Sequence, residues 1–315
     1  MRLLKNPKFN FMDFRKTGFL LSSILIGASL VSLVLHGGPK FGIDFRGGKF
    51  AEFRFEDKAD STAQVDVAIE EVRKSLSDMN IGANEVKTFG SSQEIAVQFD
   101  ENTDLGEESM NRIISGLEAT TGNNVKLRRT ETVGPKIGRE LVWSALIAIL
   151  ISMGLILIYI MFRFELRFGV GAVAALAHDI TITLGIFSIF DIEITVPIIA
   201  AVLTIIGYSL NDTIVVFDRI RENLKTIKKR VSGYAALVNR SINETLSRTI
   251  VTSGTTLIVV MVLYFYGGAI INDFAFALIC GIIIGTYSSI FIASPILVEW
   301  EARRQAAPAL AGKKK

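Results

Sequence analysis

What this chain can fold into is set by six apolar runs at or near bilayer-spanning length: Thr17 to His36, Leu141 to Phe162, Phe168 to Phe190, Ile194 to Phe217, Thr249 to Tyr266 and Phe274 to Val298. Backbone polar groups in hydrocarbon need partners within their own segment, so each run is expected to be a helix. Half of the residues are hydrophobic and the mean hydropathy is +0.43, although the stretch between the first two runs is polar. This excludes a purely cytosolic enzyme and leaves one soluble domain of ordinary size. The apolar core of the first run, Phe19 to Leu35, is longer than a signal-peptide core, and no clear A-x-A site follows it. It reads as a retained anchor.

Charge placement gives the orientation. Lys and Arg near the span ends fall in the N-terminal segment (Arg2, Lys5, Lys8, Arg15, Lys16) and after the second span (Arg163, Arg167). Others lie after the fourth span (Arg219, Arg221, Lys225, Lys228, Lys229, Arg230, Arg240, Arg248) and in the tail (Arg303, Arg304, Lys313 to Lys315). All of them share one side of a six-span path. The opposite short loops, Asp191 to Glu193 and Gly267 to Asp273, hold none. The positive-inside rule therefore places both termini in the cytoplasm and the long segment after the first span outside. Lys225 to Arg230 reads as the topology signal and a contact for anionic membrane lipids, or as a surface for a cytoplasmic partner. Tyr159, Tyr264, Tyr266 and Trp300, near span ends, read as interfacial anchors. A net charge of +3 gives no support to a nucleic-acid partner. The single cysteine, Cys280, excludes an intrachain disulfide.

Between Gly37 and Arg139, strand and helix patterns alternate. Ala51, Phe53 and Phe55 interleave with Phe50, Glu52, Arg54 and Glu56 at period two, as in a half-buried strand. Ser61 to Met79 reads as an amphipathic helix with Ser61 as N-cap. Glu85 to Phe89 and Glu94 to Phe99 form a hairpin signal, followed by a helix over about Leu105 to Leu117 and a strand over Val125 to Thr132. The order β-α-β-β-α-β is ferredoxin-like. Neither metal-ligand spacing, nor a phosphate loop, nor a nucleophile triad is present, which points to binding or structure for this domain.

Ionisable groups inside spans cost roughly 2.5 to 3.5 kcal/mol on insertion scales, so each needs a reason. Thr204, Tyr208, Asn211 and Asp212 are spaced to share one face of the fourth helix, and Arg248, Thr252, Thr255 and Thr256 one face of the fifth. The two helices meet at the cytoplasmic side, so Asp212 and Arg248 are expected at similar depth. A proton pathway has this form, and so does an inert ion pair fixing helix register. Asp179 falls near mid-span in the third helix beside His178, and adjacent residues are not expected to point the same way. A second relay and a satisfied helix–helix hydrogen bond both stay open for them. Ala277, Gly281, Gly285, Ser289 and Ala293 put a small residue at every fourth position of the sixth span, which lets another helix approach, from this chain or a second protein.

Four stretches carry a family resemblance: Phe41 to Gly48 (FGIDFRGG), Gly207 to Asn223 (GYSLNDTIVVFDRIREN), Arg248 to Thr256 (RTIVTSGTT) and Gly285 to Pro295 (GTYSSIFIASP). They closely resemble the SecF family, the smaller membrane subunits of the bacterial SecD/SecF protein-export pair, related to the resistance-nodulation-division transporters. The resemblance covers the whole chain in order. It implies pairing with SecD, association with the SecYEG translocon, YajC and YidC as further partners, and unfolded exported polypeptides as cargo. It also implies the proton gradient as energy source, with no cofactor and no covalent catalysis. Position by position, the family's proton-relay aspartate falls on Asp212 and its basic partner on Arg248. The competing readings are a passive assembly scaffold and a small-molecule exporter of the same superfamily, the latter disfavoured by the small external region.

The expected architecture is a polytopic α-helical membrane protein with six transmembrane helices and one α+β ferredoxin-like external domain, in the bacterial cytoplasmic membrane. Residues 1–16 form a cytoplasmic segment, 17–36 the first span and 37–140 the external domain. Residues 141–298 form the other five spans, with a basic cytoplasmic loop at 218–248, and 299–315 a basic cytoplasmic tail.

Overall fold

The computed structural model describes residues 7–58, 63, 65–89, 91–99, 102–226 and 233–311. They divide into two compact units: Met1–Lys40 with Ile147–Gly267 and Ile271–Lys315, and Phe41–Leu146 with Gly268–Ile270.

The smaller unit contains α2 (Ile43–Arg46), β1 (Gly48–Glu56), α3 (Ile69–Asp78), β2 (Ala83–Phe89), β3 (Ser91–Phe99), α4 (Glu107–Thr121) and β4 (Asn124–Val133). The strands form one antiparallel sheet in the order β2-β3-β1-β4, which is the ferredoxin-like arrangement. Ala51, Phe53 and Phe55 of β1 are buried with Ile95, Val97 and Phe99 of β3 beneath Val72 and Leu76 of α3 and Ile113 and Leu117 of α4. On the other face Glu52 and Glu56 are also buried, under Arg128 and Lys126 of β4. β1 is therefore covered on both faces, where alternation alone predicts one. The α3 helix begins at Ile69, eight residues after the expected start, because Val65 to Ala68 run without helical structure and bury Val67. The expected cap, Ser61, lies outside the described residues. The α4 helix opens at Gly106, whose N–H, with the Ser109 hydroxyl, donates to the Asp104 carboxylate. It closes on Gly122, whose φ of 73° is the left-handed cap that glycine adopts without strain.

The larger unit contains α1 (Arg15–Leu35), most of α5 (Pro135–Arg163), α6 (Leu166–Ile189), α7 (Val196–Thr226), α8 (Tyr234–Tyr266), α9 (Ala269–Ser288) and α10 (Ser294–Ala311), with a π-helical turn, Ser289–Ala293, joining the last two. Among the described residues six helical stretches are long and apolar enough to span: Phe11–Leu35, Lys136–Arg163, Leu166–Ile189, Val196–Thr226, Tyr234–Tyr266 and Ile271–Gln305. The α7 and α8 helices, of 31 and 33 residues, outrun a bilayer core of about 30 Å. Most of the segment expected as a basic loop at 218–248 is therefore helix. Lys225 is the last basic residue described on α7, and Lys228 to Arg230 lie outside the described residues.

Several of the described basic residues used for orientation collect at one end of this bundle. There Arg15 pairs with Glu299, Arg167 with Glu301, Arg163 with Asp218, and Arg219 and Arg240 with Glu244. At the other end Lys40 pairs with Asp191, and its carbonyl accepts the Ile194 N–H. The small residues of the last span face this chain's own helices. A Cβ on Gly281 would stand 2.3 Å from Ile205, and one on Gly285 2.9 Å from Ser209, both on α7. Ala277, Ser289 and Ala293 are fully buried. Of the two partners left open for that stripe, the structure supplies the intramolecular one.

Candidate functional site

Asp212 sits on the inward face of α7 and is only 2 % exposed. Its Oδ2 accepts a hydrogen bond from Ser253 Oγ on α8 at 3.1 Å and from Thr286 Oγ1 on α9 at 3.4 Å. Those two hydroxyls are 2.9 Å apart. Among the described residues neither Asp212 nor Arg248 enters an ion pair. Arg248 is exposed on the wall of a polar cleft of 1180 Å³ shared with Lys8, Asp13, Arg240, Glu244 and Thr252.

The chemistry follows from the donors. A hydroxyl donates to an ionised carboxylate and accepts from a protonated one. Ser253 and Thr286 therefore satisfy Asp212 in either state without rearrangement of the backbone. A permanent cation in direct contact would hold only one of them.

The expected polar seam is split by the burial boundary. At about 100° per residue, Thr204, Tyr208, Asn211 and Asp212 cover a broad arc of α7. Asp212 falls on the buried side, Thr204 and Asn211 are exposed, and Tyr208 lies between. The Tyr208 hydroxyl is buried with no hydrogen-bond partner among the described residues. On α8 the same offset exposes Arg248 and Thr255 and half-buries Thr252 and Thr256, while Thr249 and Ser253 point inward. The face-sharing expectation is thus corrected: two adjacent polar arcs are present, one inside the bundle and one outside it. Ser253 and Thr286, which meet Asp212, were missed because serine and threonine in apolar helices usually bond their own helix carbonyls, as Thr252 and Thr256 do here.

A second polar cluster lies between α6 and its neighbours. His178 and Asp179 are 4 % and 0 % exposed. Contrary to the expectation from adjacency, their side chains meet, Nδ1 to Oδ1 at 2.8 Å. Asp179 Oδ2 accepts from Ser209 on α7 at 2.5 Å and from Ser288 on α9 at 2.8 Å. His178 Nε2 contacts Ser22 on α1 at 3.0 Å, and the ring stacks on Tyr287. The π-helical turn begins directly after Ser288, a feature that recurs at functional sites.

Residues 113–303 match the family described as protein export membrane protein SecD/SecF, C-terminal. The chain belongs to the SecD/SecF protein-export family. Protein translocase subunit SecF of Desulfurispirillum indicum is 48 % identical over 93 % of this chain and 92 % of its own length. The SecF of Vibrio alginolyticus is 45 % identical over 95 % of this chain and 92 % of its own. The crystal structure of SecDF from Thermus thermophilus, a translocon-associated membrane protein, matches with a TM-score of 0.82 and 39 % identity. That match covers 94 % of this chain and 39 % of SecDF. The SecF-type chain thus spans over nine tenths of separate SecF subunits and about two fifths of the fused SecDF polypeptide. With its six apolar helices it is a multi-pass inner-membrane protein.

Proposed function

We propose that this chain is the SecF-type half of a proton-driven protein-export machine, with Asp212 as its proton carrier. The observation that carries the reading is the setting of Asp212: a buried mid-helix carboxylate held by two hydroxyls from two other helices, able to bind and release a proton in place. Displacement of α8 against α7 would bring the always-charged Arg248 guanidinium to Asp212, where it replaces the proton as the neutralising charge. Alternation of those states ties proton passage to helix movement. One charge crossing the full potential supplies roughly 2.3 kcal/mol per 100 mV. A few protons then suffice for a domain-scale motion that draws polypeptide outward through the Sec translocon. No cofactor enters this scheme.

Thr204, Asn211, Arg248 and Thr255 are exposed within apolar spans. Polar groups at that depth are costly against lipid, which supports a SecD-type partner covering them. The basic end of the bundle supports cytoplasmic termini and an extracytoplasmic α+β unit.

The test is secretion into energised vesicles carrying Asp212→Asn chains at matched abundance, with and without a proton gradient. Asparagine keeps the size of the side chain but cannot release a proton. The gradient-dependent part of secretion should vanish while assembly survives. Undiminished gradient-dependent secretion would leave a passive scaffold.

A further inference from the structure

The contacts around His178 form a chain of defined length. It runs from Asp179 Oδ1 to His178 Nδ1 at 2.8 Å, and from His178 Nε2 to Ser22 Oγ at 3.0 Å. It continues from Ser22 Oγ to the Tyr287 hydroxyl at 3.1 Å, and from that hydroxyl to the Gly18 carbonyl at 2.8 Å. Each of the four contacts needs one hydrogen. Both ends, a carboxylate oxygen and a carbonyl, only accept. Serine and tyrosine bring one hydrogen each, and a neutral imidazole brings one more. An ionised Asp179 with a neutral His178 is therefore one hydrogen short, and one contact would have to break.

The far side of the carboxylate says where the missing proton sits. Oδ2 takes the Ser209 hydroxyl at 2.5 Å and the Ser288 hydroxyl at 2.8 Å, the shorter of two contacts Ser288 makes. A carboxyl hydrogen on Oδ1 donated to a neutral ring would meet the same count, but two hydroxyls donating to Oδ2 favour the ionised carboxylate, which puts the hydrogen of the first contact on His178 Nδ1. We infer that His178 and Asp179 form a second proton-binding site, occupied in this conformation as imidazolium and carboxylate. This goes beyond the Asp212 reading and does not depend on it.

The bound proton has a mechanical consequence. Gly18 and Ser22 belong to α1, His178 and Asp179 to α6, Ser209 to α7, and Tyr287 and Ser288 to α9. The filled chain clasps α1 to α6 and α9. Loss of the proton leaves one link without a hydrogen and loosens that clasp. A cleft of 320 Å³ lined by Phe19, Ser22, Ala174, His178 and Thr181 reaches the ring and Ser22, with room for the water that takes the proton. The groups facing the pair from α1, α7 and α9 are the hydroxyls of Ser22, Ser209, Tyr287 and Ser288. Along α7 the nearest carboxylate is Asp212, one turn past Ser209 and engaged with Ser253 and Thr286.

The chain has two histidines, so a His36→Gln background leaves His178 alone in a histidine-labelled sample. The experiment is nitrogen-15 solid-state NMR of the full chain with its partner subunit in lipid, near neutral pH. Both ring nitrogens should carry hydrogen. In Ser22→Ala, which removes the acceptor of the second contact, the ring should carry one. A singly protonated ring in the unsubstituted chain overturns the proposal without recourse to any variant. A Ser22→Ala spectrum identical to that of the unsubstituted chain overturns it as well. Because the readout is His178 alone, its failure is distinguishable from failure of the Asp212 reading, which is scored by secretion.

Discussion

Gly281 on α9 lies so close to Ile205 on α7 that a Cβ at position 281 would stand 2.3 Å from Ile205 Cγ1. That contact seats the helix carrying Thr286 against the helix carrying Asp212, and the hydrogen bond from Thr286 to Asp212 depends on it. Ile205 is buried and branched at Cβ, so it cannot swing aside. Gly281→Val is expected to cost about 1–3 kcal/mol through overpacking, seen as a lower thermal midpoint in detergent. Gly154→Ala, where nothing lies within 4 Å, should leave that midpoint unchanged or slightly raised.

The N-terminal segment is strapped to α8 by the amides of Asn239 and Asn243, the latter at the shorter distances. Asn243 Oδ1 accepts the Phe9 N–H and its Nδ2 donates to the Phe9 carbonyl, both at 2.8 Å. Asn243→Ala leaves two backbone groups unpaired and should weaken docking by roughly 1–3 kcal/mol. Limited trypsin digestion should then cut faster at Lys8.

Two carboxylates of the α+β unit should respond to pH with opposite sign. The Ser109 hydroxyl, and after it the Gly106 N–H, hold the Asp104 carboxyl below its ordinary value. Its stabilisation of α4 is present above the unfolded value of about 3.9 and is lost as pH falls through the lower folded one. Burial, opposed by Arg128, holds Glu52 above its ordinary value. Its contribution is full below the unfolded value and is lost as pH rises through the higher folded one. At neutral pH, Asp104→Ala should therefore speed hydrogen exchange in the first turn of α4. Glu52→Gln should not speed exchange in β1.

Much of this architecture was legible in the sequence because apolar length and period-two alternation report burial directly. The six spans and the strand order follow from them. Helix ends were less legible. The α3 helix starts late because the extended segment before it buries Val67, yet Val65 and Ala68 in that segment fall at helical spacing from Ile69 and Val72 and so read as helix when only spacing is counted. In the candidate site, Asp212 stood out because a carboxylate in an apolar run is rare. Its partners Ser253 and Thr286 did not, since hydroxyls there are common and their partners lie on other helices. The arc of Asn211 and Arg248 looked like one seam with Asp212 because helix spacing cannot locate the boundary between inside and outside.

The orientation has its own check. Lys58 is exposed in the loop after β1 and Lys225 is exposed near the end of α7. Single cysteines at these positions should label from opposite sides of intact cells, Lys58→Cys from outside. External labelling of Lys225→Cys would contradict cytoplasmic placement of the basic end.

The central claim is that protons pass by way of Asp212 while polypeptide is exported. The most direct measurement is proton influx across membranes containing the whole complex, with a substrate polypeptide in transit, for the unsubstituted chain and Asp212→Asn at equal abundance. The account predicts that influx coupled to export disappears in Asp212→Asn, while the complex still assembles and export without a gradient is unchanged. Export-coupled influx of undiminished size in Asp212→Asn would contradict it.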